Sequence, residues 1–234
     1  MQPQFQTIDQ TAHGASDVAL QRNRVLRNTY MLLALTMVPT VIGALLGVQM
    51  QFALLPNNPV ISFLVFIGIA FGFMWGIERT KNSSMGVVLL LAFTFFMGLM
   101  LSSILRVALG FSNGGSLIAM AATGTGAIFF TLATIATVTK KDFSFLGQFL
   151  FIGMVIVLLA ALANAFLMIP ALSLAISGVA VLVFSAYILY DISRIIQGGE
   201  DNYISATLMV YLDIYNVFVS LLNLLMAFFG GERD

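Results

Sequence analysis

Ile204–Phe229 reads ISATLMVYLDIYNVFVSLLNLLMAFF, and a single charged side chain, Asp213, interrupts it. The run exceeds the about 20 residues needed to cross about 30 Å of hydrocarbon. A second such run, Leu172–Ile192, lies just upstream and carries Asp191 in Ser185-Ala-Tyr-Ile-Leu-Tyr-Asp-Ile-Ser193. An acid near the middle of a bilayer costs roughly 2.5–3.5 kcal/mol even on a lenient insertion scale. Two acids so placed therefore point to function: an ion path, a proton site or a buried latch.

Working outward, five more apolar runs precede these two. The seven expected spans are Asn28–Met50, Pro59–Ile77, Met85–Leu105, Ser116–Val138, Phe145–Met168, Leu172–Ile192 and Ile204–Phe229. Turn chemistry separates them at Pro56-Asn-Asn-Pro59, Asn82-Ser-Ser84, Ser112-Asn-Gly-Gly115 and Gly198-Gly-Glu-Asp-Asn202. Composition agrees: of 234 residues 60% are hydrophobic and 9% charged, with a mean hydropathy of +1.01, whereas soluble domains average about 25% charged. The expected fold is an all-α integral membrane protein of seven transmembrane helices. Residues 1–27 form a polar tail, 28–229 the membrane domain and 230–234 a short C-terminal tail.

Charge fixes the expected orientation. Arg22, Arg24, Arg27, Arg79, Lys81, Lys140, Lys141 and Arg194 fall on the N-terminal side of the spans, against only Arg106 and Arg233 opposite. The excess of Lys and Arg marks the cytoplasmic face, placing the N-terminus in the cytoplasm and the C-terminus outside. The first residues are Gln-rich and lack the apolar core of a signal peptide. Net charge is zero, which implies no nucleic-acid surface, and the absence of cysteine excludes disulfides and thiolate chemistry. The lone histidine, His13, sits in the polar tail, far from any triad or zinc site.

Small residues four apart, Gly43 and Gly47 in the first span and Gly68, Gly72 and Gly76 in the second, suit close helix packing and permit association. Pro39 is expected to kink the first span.

At 1.5 Å per residue, Asp191 and Asp213 lie roughly 10 Å and 16 Å from the Gly198-Gly199 turn. The depths differ by about one helical turn, so the carboxylates can meet across the hairpin. On the last helix Asp213, Asn216, Ser220 and Asn223 form one polar stripe. On the preceding helix Tyr187, Asp191 and Arg194 share a face, so Arg194 either pairs with Asp191 or snorkels to the headgroups. Two carboxylates in low dielectric cannot both ionise cheaply and would hold one proton between them. A hard cation such as Ca²⁺ prefers carboxylate and carbonyl oxygens and could compete with that proton, making Asp191 and Asp213 candidate metal contacts. A hydrogen-bonded pair that only fixes packing is the alternative. Asp201 or Asn202 is expected to cap the last helix, and Asp142 the fifth.

Several segments together are recognisable: Leu26-Arg-Asn-Thr-Tyr-Met-Leu-Leu-Ala-Leu-Thr36, Lys140-Lys-Asp-Phe-Ser-Phe-Leu-Gly147, Tyr187-Ile-Leu-Tyr-Asp-Ile192, Gly198-Gly-Glu-Asp-Asn-Tyr-Ile204 and Tyr211-Leu-Asp-Ile-Tyr-Asn-Val-Phe-Val-Ser-Leu-Leu222. On these the chain resembles the transmembrane Bax inhibitor motif family, in its bacterial YccA-type branch. The resemblance implies a central last helix wrapped by the other six, and a pH-sensitive aspartate pair at Asp191 and Asp213. It implies a calcium leak with that pair as sensor, and no resident cofactor. A family arginine that latches an aspartate maps onto Arg79 in Ile77-Glu-Arg-Thr-Lys81, where the adjacent Glu78 could neutralise it; Arg194 is the other candidate latch. The branch is also associated with modulation of a membrane-anchored ATP-dependent protease of the FtsH type, through the N-terminal tail (residues 1–27). The implied location is the bacterial cytoplasmic (inner) membrane.

Three functions compete at this point. The first is a pH-regulated calcium leak, and the second is a regulatory protein acting on a membrane protease. The third, an intramembrane aspartyl protease, borrows from Tyr190-Asp191 and Pro170-Ala-Leu172. It fails on order, because the Pro-Ala-Leu precedes both acids, and Asp213 follows Tyr-Leu rather than Gly-x-Gly. The chain is therefore expected not to be an enzyme.

Overall fold

The computed structural model describes residues 4–54 and 59–232, the side chains of 4–19 and 59–60 excepted. His13, the Pro56-Asn-Asn58 turn and Arg233 thus lie outside the described residues or side chains. The helices are α1 (Gln4–Gln49), α2 (Pro59–Thr80), α3 (Ser84–Leu109), α4 (Gly114–Thr139), α5 (Gly147–Leu167), α6 (Pro170–Gln197) and α7 (Tyr203–Phe229), with a 3-10 turn at Ser144–Leu146 before α5. All seven contain stretches long and apolar enough to span a membrane. The first of them lies in the described part of α1, Leu20–Gln49, which includes the expected Asn28 start. The backbone is helical from Gln4 onward and passes through Pro39 without a break.

The last helix is central. α7 packs against α1, α2, α3, α4 and α6, whereas α5 packs mainly on α6. Its inward residues Val210, Tyr211 and Val217 are essentially inaccessible and pack with Phe93 of α3 and Ile188 and Ile192 of α6, while Leu222 packs with Ala108 of α3 and Leu117 and Ala121 of α4. Buried hydroxyls cross-link this core: Thr40 Oγ1 lies 2.9 Å from Tyr211 Oη and donates to the Thr94 carbonyl at 3.2 Å. Without such partners each buried hydroxyl would cost about 1–3 kcal/mol.

α1 and α3 approach backbone to backbone. A Cβ on Gly98 would stand 2.2 Å from the Thr40 carbonyl oxygen, and one on Gly43 2.3 Å from that of Phe95. The small-residue stripe of α1 is therefore a packing seam. The stripe on α2 is not: nothing lies within 4 Å of a Cβ built on Gly68 or Gly72, because that face points out of the bundle. Gly98→Ala should thus lower the thermal midpoint in detergent by several degrees, through overpacking worth about 1–3 kcal/mol. Gly68→Ala should leave the midpoint unchanged or raise it, since alanine is the better helix former by about 1 kcal/mol. Equal midpoints for both variants would contradict the seam.

Contacts gather the basic residues at one end. Arg22 meets Gly198, Asn202 donates to the Lys81 carbonyl, and Gln197 donates to the Lys140 carbonyl. At the opposite end Arg106 donates to the Phe52 carbonyl. There the C-terminal segment is tied down: Asn113 Nδ2 donates to the Phe229 carbonyl, and Ser112 N to that of Glu232.

Candidate functional site

α6 ends because Gly198 adopts φ +81° and terminates the helix, with Gly199 N donating back to the Arg194 carbonyl at 2.8 Å. A side chain there would be strained by the backbone and would also strike the Arg22 guanidinium, 2.7 Å from a built Cβ. α7 then begins on Asn202, whose Oδ1 accepts from Ile204 N at 2.9 Å and Ser205 N at 3.2 Å. Of the two expected caps, Asn202 fills the position. Asp142 does not cap α5, whose cap position is Leu146; its Oδ1 accepts from Ser144 N at 2.8 Å at the start of the 3-10 turn ahead of that helix. The Ser144 hydrogen bonds hold the Asp142 carboxyl below the usual carboxylate range.

This tight hairpin sets the register that brings the two acids together. The carboxyls of Asp191 and Asp213 are close enough to interact directly, and both residues are 6% exposed. Asp213 Oδ2 is fully buried and has no hydrogen-bond partner among the described residues. Buried acceptors are rarely left so, and a proton held between the two carboxyls gives one oxygen a donor. Tyr187 stands close enough to feel both charges. Chemically the site can store a proton, release it with a gain of charge, or offer oxygens to a passing cation. Among the described residues, no group of three or more His, Cys, Asp or Glu side chains comes together to hold a metal. Ca²⁺ takes six to eight oxygens, so the pair alone would need water or carbonyl oxygens to complete a shell.

The candidate latches sit elsewhere. Arg79 lies over the Trp75 ring at 5.2 Å. It forms no ion pair with either aspartate among the described residues. Glu78 does not neutralise it: Glu78 pairs with Lys81 and accepts from Ser205 Oγ at 3.0 Å. Arg194 neither bonds Asp191 nor reaches outward. It folds over the turn, donating to the Gly199 carbonyl at 3.2 Å, approaching Glu200 at 3.9 Å and stacking on Tyr190 at 5.7 Å. Its charge still acts on Asp191 through space, as does that of Glu200.

The polar stripe of α7 divides. Asn216 donates to the Leu212 carbonyl of its own helix, and Ser220 is buried. Asn223 donates to Ser177 Oγ at 3.0 Å and Ser173 Oγ at 3.3 Å on α6. The stripe therefore faces α6 along part of its length and ties the hairpin together. Sequence reasoning missed one element: Ser193 Oγ donates to the Lys141 carbonyl at 3.0 Å and accepts from Phe143 N at 3.2 Å. This straps the Lys-Lys-Asp loop to α6 two residues from Asp191. A serine inside an apolar run beside a charged residue was the available signal. Pro170, at the far end of α6, lies about 30 Å from Asp191 at 1.5 Å per residue, so the Pro-Ala-Leu segment cannot join an aspartyl-protease site.

Fold and site together define a multi-pass membrane protein of seven helices with a carboxylate pair buried between the last two. The profile of the family described as inhibitor of apoptosis-promoting Bax1 matches residues 22–230, and the chain belongs to that Bax inhibitor family. It is 43% identical over 206 residues to an Escherichia coli K12 protein named modulator of FtsH protease YccA, covering 88% of this chain and 91% of that protein. A second Escherichia coli relative of the same similarity is named an inner membrane protein, which with the seven spans makes this a multi-pass inner-membrane protein. An uncharacterised Pseudomonas aeruginosa protein is 45% identical over 93% of the chain and 96% of its own length.

Proposed function

We propose that this protein modulates a membrane-anchored ATP-dependent protease of the FtsH type. The observation that carries it is the 43% identity, over 88% of the chain, to a protein named for that role. The charge asymmetry supports an N-terminus in the cytoplasm, where ATP drives such a protease. The helical backbone from Gln4 gives residues ahead of the membrane a continuous connection into the bundle. The test is co-reconstitution with an FtsH-type protease and a membrane substrate. The expected result is a changed degradation rate that scales with the amount of this protein; an unchanged rate at a molar excess rejects the proposal.

The buried carboxylate pair favours a second activity at the same time, a proton-sensitive cation leak with Ca²⁺ as the transported substrate. Asp213 Oδ2, unpartnered inside the bundle, is the oxygen that a proton or a cation would occupy. Asp191 is the second carboxylate of the sensor. Because Arg194 sits between Asp191 and the turn and is held by Gly199 and Glu200, it serves as the candidate gate on the basic side, in preference to Arg79.

A further inference from the structure

α1 and α4 do not close against each other, and a groove of about 960 Å³ runs between them. Its floor is Tyr211, Ile214, Tyr215 and Phe218 of α7, so it lies beside the core and opens sideways. Rim residues Val41, Leu45, Phe130 and Val138 are all more than half exposed, facing where lipid stands.

We propose that this groove binds one acyl chain of an anionic phospholipid, whose phosphate sits at the basic end between Arg27 and the Lys140–Lys141 pair. The inference is independent of both functional readings above.

Length and polarity suit a hydrocarbon chain. From Tyr30 to Leu45 the α1 wall is about 22 Å long at 1.5 Å per residue, and the lining carries no charged side chain. One leaflet supplies about 15 Å of hydrocarbon, half of the about 30 Å core, so a chain anchored at the basic end lies within the groove.

Charge and hydrogen bonding select the headgroup. Arg27 precedes Tyr30 by three residues and so shares its face of α1. Lys140 and Lys141 come just after Thr139, the last residue of α4 and the neighbour of the rim residue Val138. All three cations are exposed, and among the described residues none has an ion-pair partner. On the groove lining the buried Tyr30 hydroxyl stands beside Thr137 and makes no well-formed hydrogen bond among the described residues; a phosphate or ester oxygen would give it an acceptor. Juxtamembrane cations of this kind favour anionic over zwitterionic lipid.

Gly126 makes a clean test possible. It lines the groove, yet a Cβ built on it has nothing within 4 Å. Gly126→Leu therefore projects an apolar side chain into the groove from a position where an added Cβ meets nothing. The full chain, in mild detergent, would be mixed with phosphatidylglycerol or phosphatidylethanolamine and examined by native mass spectrometry. One phosphatidylglycerol should be retained, preferred on the order of fivefold over phosphatidylethanolamine, the effect of about one basic side chain at an anionic surface. Gly126→Leu should abolish retention of both lipids at an unchanged thermal midpoint. Arg27→Gln with Lys141→Gln should remove the headgroup preference while leaving weak chain binding. Equal retention of the two lipids by the native chain would overturn the proposal, as would retention unaffected by Gly126→Leu. A photo-reactive residue at position 122 that captures protein instead of lipid in membranes would also overturn it, in favour of a partner helix.

Discussion

Asp213→Asn should yield a folded protein whose cation flux no longer follows pH. In dye-loaded proteoliposomes the native chain is expected to change its Ca²⁺ flux across pH 5 to 8. One proton linked to opening shifts that equilibrium by up to about tenfold per pH unit. The proton in question would be shared by two neighbouring, buried carboxyls. Raising the pH removes it and leaves two like charges together, which the site relieves only by admitting a cation, water or movement of the hairpin. Asparagine cannot ionise, so that step disappears. It is also close to isosteric, and its amide can donate to Asp191, so the hairpin should keep its stability. Flattening of the profile with an unchanged thermal midpoint is the expected pairing of results. An unchanged pH profile in Asp213→Asn would sink the sensor assignment. A native chain with no flux at any pH would leave the acids as a packing device and protease modulation as the function.

Deleting residues 1–20 should abolish the effect on the protease while sparing the fold and any flux. The deletion ends just before Arg22 and Val25, which pack against the hairpin, so it removes none of the contacts described for the bundle. Substrate degradation in the co-reconstituted system should return to the rate of protease alone. Regulation that survives the truncation would move the binding surface to the loops at the basic end, where the strapped Lys140–Asp142 segment is the next candidate.

Much of this architecture was legible because lipid leaves few alternatives. Every backbone polar group in the bilayer must be satisfied internally, so each long apolar run had to be a helix. The meeting of Asp191 and Asp213 was legible for a related reason. A short glycine turn forces antiparallel neighbours, and depth counted from the turn then matches residues across them. Side-chain choices at the interface were not legible. Arg194 had Asp191, the headgroups and Glu200 within reach, and the turn carbonyl of Gly199 decided among them. The two glycine stripes looked alike in sequence; only the presence of α3 against the α1 stripe made one a seam, while Gly68 and Gly72 of the other stand bare. The groove between α1 and α4 had no sequence signature either, because a gap is a relation between helices far apart in the chain.

The first helix runs unbroken from Gln4 into the bundle, and on the way Val25 packs with Ile195 and Ala206, at the foot of the hairpin that carries the acids. A rigid rod fixed at that point transmits force as a lever does. A protein gripping the N-terminal segment would therefore tilt α6 against α7, and the work it does there would alter how tightly the carboxyls hold their proton. Linkage runs both ways: the state of that proton would equally set how well the grip holds. On the two proposed readings, one helix would give a protease at the N-terminal segment and the acidity around the membrane a common axle.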